Sequence, residues 1–161
     1  MRSQSTSDEL ITADFAKAER PARVLLVEDN PGDAELVRVV LERNAVSSLE
    51  VVHSSRLADA IRQLDNESFQ SIVLDLGLPD SKGLKTLERM LEVSRSVPVI
   101  VLTGREDLEL AQSAIRNGAQ DCLCKNHISG ELLVRSISNS IERQKQLSAA
   151  VNLSLHDELT G

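Results

Sequence analysis

Five residues of this 161-residue chain have the types and spacing that phosphoryl chemistry needs: Glu28, Asp29, Asp75, Thr103 and Lys125. Each follows directly on an apolar run, at the point where a buried segment gives out. Three carboxylates brought to one place repel one another strongly unless something neutralises them. A hard divalent cation does so, and an all-oxygen donor set suits Mg²⁺, which keeps several of its waters. A carboxylate is a weak nucleophile, yet it can attack a phosphorus centre whose charge is offset by metal and an ammonium group. On this reading Asp75 is the nucleophile, Lys125 the ammonium clamp and Thr103 a hydroxyl donor to a phosphoryl oxygen. Each residue also has a plainer use. Glu28-Asp29 can be an acidic approach to a helix favoured by its dipole. Asp75 can cap a loop, Thr103 a helix, and Lys125 can be solvated. All five at successive segment ends favour chemistry, because charged groups gathered in one cleft are themselves diagnostic.

The elements that must position them are written in the hydrophobic pattern. The apolar runs at 24–27, 49–53, 72–74 and 99–102 predict strands, the continuous ones buried on both faces, and 121–124 predicts a short fifth strand. Between them lie stripes at helical spacing. These are Leu36, Val37, Val40 and Leu41; Leu57, Ala60, Ile61 and Leu64; Leu84, Leu87, Met90 and Leu91; and Leu108, Ala111, Ala114 and Ile115. Asn117-Gly118 has the form of a helix stop. Five strands alternating with five helices imply an α/β fold, a parallel sheet with helices on both faces. Ligands of such folds bind beyond the carboxyl ends of the strands, which is where the five residues fall.

The segments VLLVEDN, IVLDLGLPDSKGL, VIVLTG and GAQDCLCK, in this order and spacing, resemble the signature segments of response-regulator receiver domains of the CheY-like kind. The resemblance covers roughly residues 22–145. It implies a flavodoxin-like (βα)5 three-layer sandwich and a phosphoryl group received on Asp75 from a sensor histidine kinase or phosphotransfer protein. It also implies Mg²⁺ held by Glu28, Asp29, Asp75 and the backbone carbonyl of Gly77, with Thr103 and Lys125 on the phosphoryl oxygens. Thr103 would move inward on phosphorylation. Pro79 and Gly83 match the turn after the acceptor. Two positions depart from the pattern. Cys122 stands where the family usually has Tyr or Phe, so a ring rotation cannot carry the switch. Asn126 follows Lys125 where Pro is usual, which is expected to loosen the peptide there.

The chain divides into three segments on this reading. Residues 1–21 are expected as a flexible arm, with a short helix at 8–19 capped by Ser7 and carrying Leu10, Ile11 and Phe15. Residues 22–145 are the receiver. Residues 146–161 continue a helix that starts near Ser129 and carries Val134, Ile137, Ile141, Leu147, Val151 and Leu155 as an apolar stripe. One sheet cannot cover so long a helix at about 1.5 Å per residue, so its distal half is expected to form a parallel homodimer. The terminal His156-Asp157-Glu158-Leu159-Thr160-Gly161 resembles the D-x-L-T-G opening of a diguanylate cyclase (GGDEF) domain. That implies an output domain beyond these residues, with any cyclase activity located there and none in the receiver.

Composition narrows the alternatives. Net charge is −7 and the aromatics are two Phe alone, which disfavours phosphate backbones, anionic lipid and base stacking. No apolar stretch has the length of a membrane span, and a cytoplasmic protein is expected. Cys122 and Cys124, two apart on a strand, suit neither a mutual disulfide nor a zinc site lacking a second pair, and are expected as small buried hydrophobes. A haloacid dehalogenase-type phosphatase would need a second Asp where Gly77 stands. Neither a G-x-G-x-x-G loop nor a P-loop is present. His156 as a phosphotransfer residue is disfavoured, its neighbours Asp157-Glu158 resembling a kinase dimerisation helix only faintly and the Pro of that family falling past Gly161. The remaining alternative is a pseudo-receiver that binds partners without phosphorylation.

Overall fold

The computed structural model describes residues 21–44, 49–104 and 107–160, and of 151–160 the helical backbone alone. The expected arm at 1–21, with its helix at 8–19, therefore falls outside the described residues apart from Pro21. Five strands alternate with five helices: β1 Ala22–Val27, α1 Pro31–Asn44, β2 Leu49–Ser54, α2 Leu57–Asn66, β3 Ser71–Asp75, α3 Leu84–Ser94, β4 Val99–Thr103, α4 Leu108–Arg116, β5 Asp121–Cys124 and α5 Gly130–Thr160. A 3-10 turn, Lys125–His127, joins β5 to α5. All strand pairs are parallel, in the order β2-β1-β3-β4-β5. This is the flavodoxin-like order, whose direction of winding reverses between β1 and β3.

β3 and β4 are buried along their whole length. Alternate side chains therefore supply two separate cores, as a pleated strand requires. Leu25, Val27, Ile72, Leu74 and Val101 pack with Leu57, Ala60, Leu87, Met90 and Ala114 of α2, α3 and α4. Val24, Leu26, Val73, Ile100 and Leu102 pack with Ala34, Val37 and Leu41 of α1 and Leu133 and Ile137 of α5. The three-layer sandwich results from that alternation. Three apolar residues expected in helix stripes lie outward instead: Leu36 is 56% exposed, Leu108 73% and Ile115 46%. α4 has nine residues and reaches the core through Ala114, so its outer stripe finds no sheet to cover it.

α5 has 31 residues and runs unbroken through position 145. Leu133 and Ile137 are buried and Val134 and Ile141 pack on the core, whereas Leu147 is 53% exposed. The side chains of Val151, Leu155 and His156 lie outside the described residues. Among the described residues no helix is long and apolar enough to cross a membrane.

Candidate functional site

The reversal in strand order leaves a crevice between the ends of β1 and β3, and the sequence fills it with acid. Glu28 follows β1 and is fully buried. Its backbone N–H donates to the Ser54 carbonyl at 3.0 Å and its own carbonyl accepts from His53 Nε2 at 2.7 Å. A carbonyl can only accept, so that imidazole carries its proton on Nε2. β2 thus fixes the backbone of the first acid. Asp29 is exposed. Asp75 closes β3 and is 9% exposed. Its Oδ1 accepts from the Gly77 N–H at 3.1 Å and its Oδ2 from Lys125 Nζ at 3.3 Å.

Glu28, Asp29 and Asp75 each present a carboxylate oxygen within 4.8 Å of the others. These donors fit Mg²⁺: they are hard oxygens, two of them fixed by buried strand ends, with the exposed Asp29 leaving room for metal-bound water. The electrostatics agree. Burial, reinforced by the nearby Asp75 charge, pushes the Glu28 carboxyl up to about 7 against the pull of Lys125. A site that strains its own carboxylates this way favours a cation.

Lys125 starts the turn after β5 and reaches back over the crevice. Its Nζ lies 2.7 Å from Glu28 Oε2, 3.2 Å from Asp33 Oδ2 and 3.3 Å from Asp75 Oδ2. Burial alone would depress the ammonium, but the hydrogen bond to Glu28 and the charges of Asp75 and Glu28 outweigh it and hold Lys125 above its usual range. Thr103 closes β4, 8% exposed, in register with Cys124. The cap of the following helix is Asp107, which accepts from the Leu110 N–H, so capping α4 is not the task of Thr103.

The turn at Asn126 is tied rather than loose: its side-chain amide donates to the Gly104 carbonyl at 3.2 Å, linking the ends of β4 and β5. Cys122 and Cys124 are free thiols and half-buried rather than buried, because β5 is an edge strand. Burial, with the nearby Asp121 charge, pushes the Cys122 thiol up. Gly83 has φ +73, a left-handed conformation that side chains resist, and so supports the expected turn after the acceptor.

Three contributors escape the sequence reading. Asp33 joins the Lys125 cluster from the first turn of α1, and His53 holds Glu28. Asp80 accepts from the Leu57 and Ala58 N–H groups at 2.9 and 3.0 Å, capping α2 from the loop after Asp75. Of these only Asp33 left a signal, an acid one helical turn past Asp29.

Comparison with known proteins shows the family and the fold. Residues 24–137 match the response regulator receiver domain. The transcriptional regulatory protein TrcR of Mycobacterium tuberculosis is 34% identical over 115 residues, covering 71% of this chain and 44% of that protein. The methanogenesis regulatory protein FilR1 of Methanothrix harundinacea is 35% identical over 130 residues, covering 77% of this chain and 28% of that protein. This chain thus spans less than half the length of either relative. A receiver domain structure from Clostridium thermocellum superposes with TM-score 0.69 at 26% identity, over 78% of this chain and 98% of that one. NtrX of Brucella abortus shares the fold with TM-score 0.73 at 24% identity, over 84% of this chain and 30% of that one.

Proposed function

This chain belongs to the family of response regulator receiver domains, and from that premise we propose that it accepts a phosphoryl group on Asp75. The observation that supports this most is the setting of that carboxylate. It is fixed at the strand-order reversal by the Gly77 N–H and Lys125 Nζ, with Glu28 and Asp29 oxygens beside it. The donor is a sensor histidine kinase or phosphotransfer protein. An Asp75 oxygen attacks the phosphorus, the P–N bond of phosphohistidine breaks as the P–O bond forms, and the electron pair leaves with the imidazole. Glu28, Asp29, Asp75 and the Gly77 carbonyl would hold Mg²⁺, which would supply charge neutralisation. Lys125 Nζ holds one phosphoryl oxygen and the Thr103 hydroxyl another.

The reading is tested by mass. With Mg²⁺ and acetyl phosphate the wild-type chain gains one phosphoryl group and Asp75→Ala gains none. A wild type without Mg²⁺-dependent modification would leave the pseudo-receiver alternative standing.

The receiver, at residues 22–145, regulates and is not itself an enzyme. Its state passes along α5 and the segment 146–161 to an output domain, with a second copy of the chain pairing on the same helix. Support for the pairing is Leu147, exposed where the helix leaves the sheet. Removing residues after Gln144 turns the dimer into a monomer in sedimentation; a monomeric full chain at high concentration refutes the pairing. For that output we propose a diguanylate cyclase, a reading supported by the resemblance of the terminal His156–Gly161 segment alone. A transcriptional output, as the name of TrcR carries, is the alternative. Assaying cyclic di-GMP synthesis from GTP by the protein with its downstream sequence decides between them.

A further inference from the structure

We infer that Asp33 is a positioning residue of the acceptor site: its carboxylate competes for Lys125 and so sets how firmly a phosphoryl group on Asp75 is held. This rests on the reading that Asp75 is the acceptor. An ammonium has three hydrogens, and Lys125 Nζ has a carboxylate oxygen at 2.7, 3.2 and 3.3 Å, from Glu28, Asp33 and Asp75. A phosphoryl group on Asp75 takes over the place of that carboxylate at Lys125 and shares the ammonium with Glu28 and Asp33, so whichever of these two yields Lys125 more readily sets the hold.

Their burial identifies which. The Glu28 side chain is 1% exposed and sits on a strand end fixed by β2, whereas the Asp33 side chain is 43% exposed in the first turn of a helix. Water can replace Lys125 at Asp33, but it cannot reach Glu28. Placing Lys125 does not depend on Asp33 either, since Glu28 and Asp75 both hold it. Asp33 therefore withholds the ammonium from the acceptor, and neutralising it should strengthen the hold on a phosphoryl group. The backbone geometry would survive, because the Asp33 N–H is satisfied by Asn30 Oδ1 at 3.0 Å.

Beryllofluoride, a phosphoryl mimic, is titrated calorimetrically at saturating Mg²⁺ into the full chain and its Asp33→Asn, Asp33→Glu and Asp75→Ala variants. Asp33→Asn should bind about two- to fivefold tighter, the range of a partly exposed ion pair. Asp33→Glu should return to the wild-type affinity. A merely structural role gives the opposite sign, since losing a negative charge at a helix start weakens the fold. Unchanged or weaker binding by Asp33→Asn overturns the inference while wild-type binding upholds the acceptor. A wild type that binds beryllofluoride no better than Asp75→Ala overturns the acceptor reading itself, and this inference with it.

Discussion

The two ends of the sheet handle charge in opposite ways. At the amino end, Arg23 of β1 is ringed by partners. Its guanidinium lies 3.4 Å from Glu50 and 3.1 Å from Glu67, donates to the Ser68 carbonyl, and stacks 4.9 Å over Phe69. Both carboxylates there are more than a third exposed, so water shares the cost of their charge. At the carboxyl end one ammonium serves Glu28, Asp33 and Asp75, with Asp29 beside them, and Glu28 has no access to water. The first arrangement is relaxed and structural. The second leaves negative charge unbalanced at a place where burial makes it costly. Such an imbalance in a crevice is what the proposed cation and phosphoryl group would use.

The largest expected effect comes from removing the cation at the strained end. Lys125→Met leaves Glu28 and Asp75 facing each other without a counter-charge. The expected loss is about 3 kcal/mol at pH 8, the low end of the cost of orphaning a buried charge, read as a lower urea midpoint without Mg²⁺. The pH dependence sharpens it. Glu28, ordinarily at 4.5, is pushed up to about 7, so the folded state binds a proton more readily than the unfolded chain. Stability from this group is full below about 4.5 and declines as pH rises through about 7. The Lys125→Met loss should therefore shrink at pH 5, where Glu28 is neutral. An equal loss at both pH values would remove the claim that Glu28 is the strained partner.

The sequence carried the sheet, its order of elements and the polar residues at four strand ends because these are local facts. An apolar run must stop somewhere, and the polar residue that ends it is plain in the sequence. The residues it did not carry owe their roles to chain that is distant. Asp80 caps a helix that begins 23 residues before it, and no periodicity announces that. Asp33 reads as an ordinary acid favoured by a helix dipole until Lys125 arrives from 92 residues away. His53 reads as a strand-end polar residue until β1 pairs beside it. In the other direction, the stripes overstated burial. Leu36, Leu108 and Ile115 have helical spacing, but spacing says only that residues share a side, not that the sheet is wide enough to cover all of it.

Asp80 tests the middle ground, a charge on the acceptor loop with a purely structural pairing. The N-cap of α2 is Arg56, whose side chain makes no capping bond, so Asp80 supplies the missing acceptor for two helix N–H groups. Asp80→Ala should cost about 1 kcal/mol, the usual worth of an N-cap. Burial, slight here, would raise this carboxyl, but the bonds from Leu57 and Ala58 and the Arg56 charge prevail and lower it below 3.8. The stabilising contribution is thus complete above that value and disappears as pH falls through the lowered one. Wild type and Asp80→Ala should converge in acid denaturation. Because the helix lies beside the crevice and not in it, Mg²⁺ affinity should be unchanged; a matching loss of Mg²⁺ binding would mean that the cap also positions Asp75.

The smallest effect is expected at the relaxed end. Arg23→Met keeps most of the aliphatic stem and removes the guanidinium, at a cost of about 0.5–1 kcal/mol from exposed ion pairs and the ring contact. Both carboxylates left behind, Glu50 and Glu67, can turn to water, which Glu28 cannot do. High salt discriminates further. Screening should shrink the Arg23→Met loss, since the Debye length falls from about 10 Å at 0.1 M to about 3 Å at 1 M, the separation of these exposed pairs. The Lys125→Met loss should persist in monovalent salt, because buried pairs are screened much less. If urea midpoints at low and high salt showed the two losses equal and equally screened, the ends would not differ in kind, and the charge at the carboxyl end would be as ordinary as that at the other.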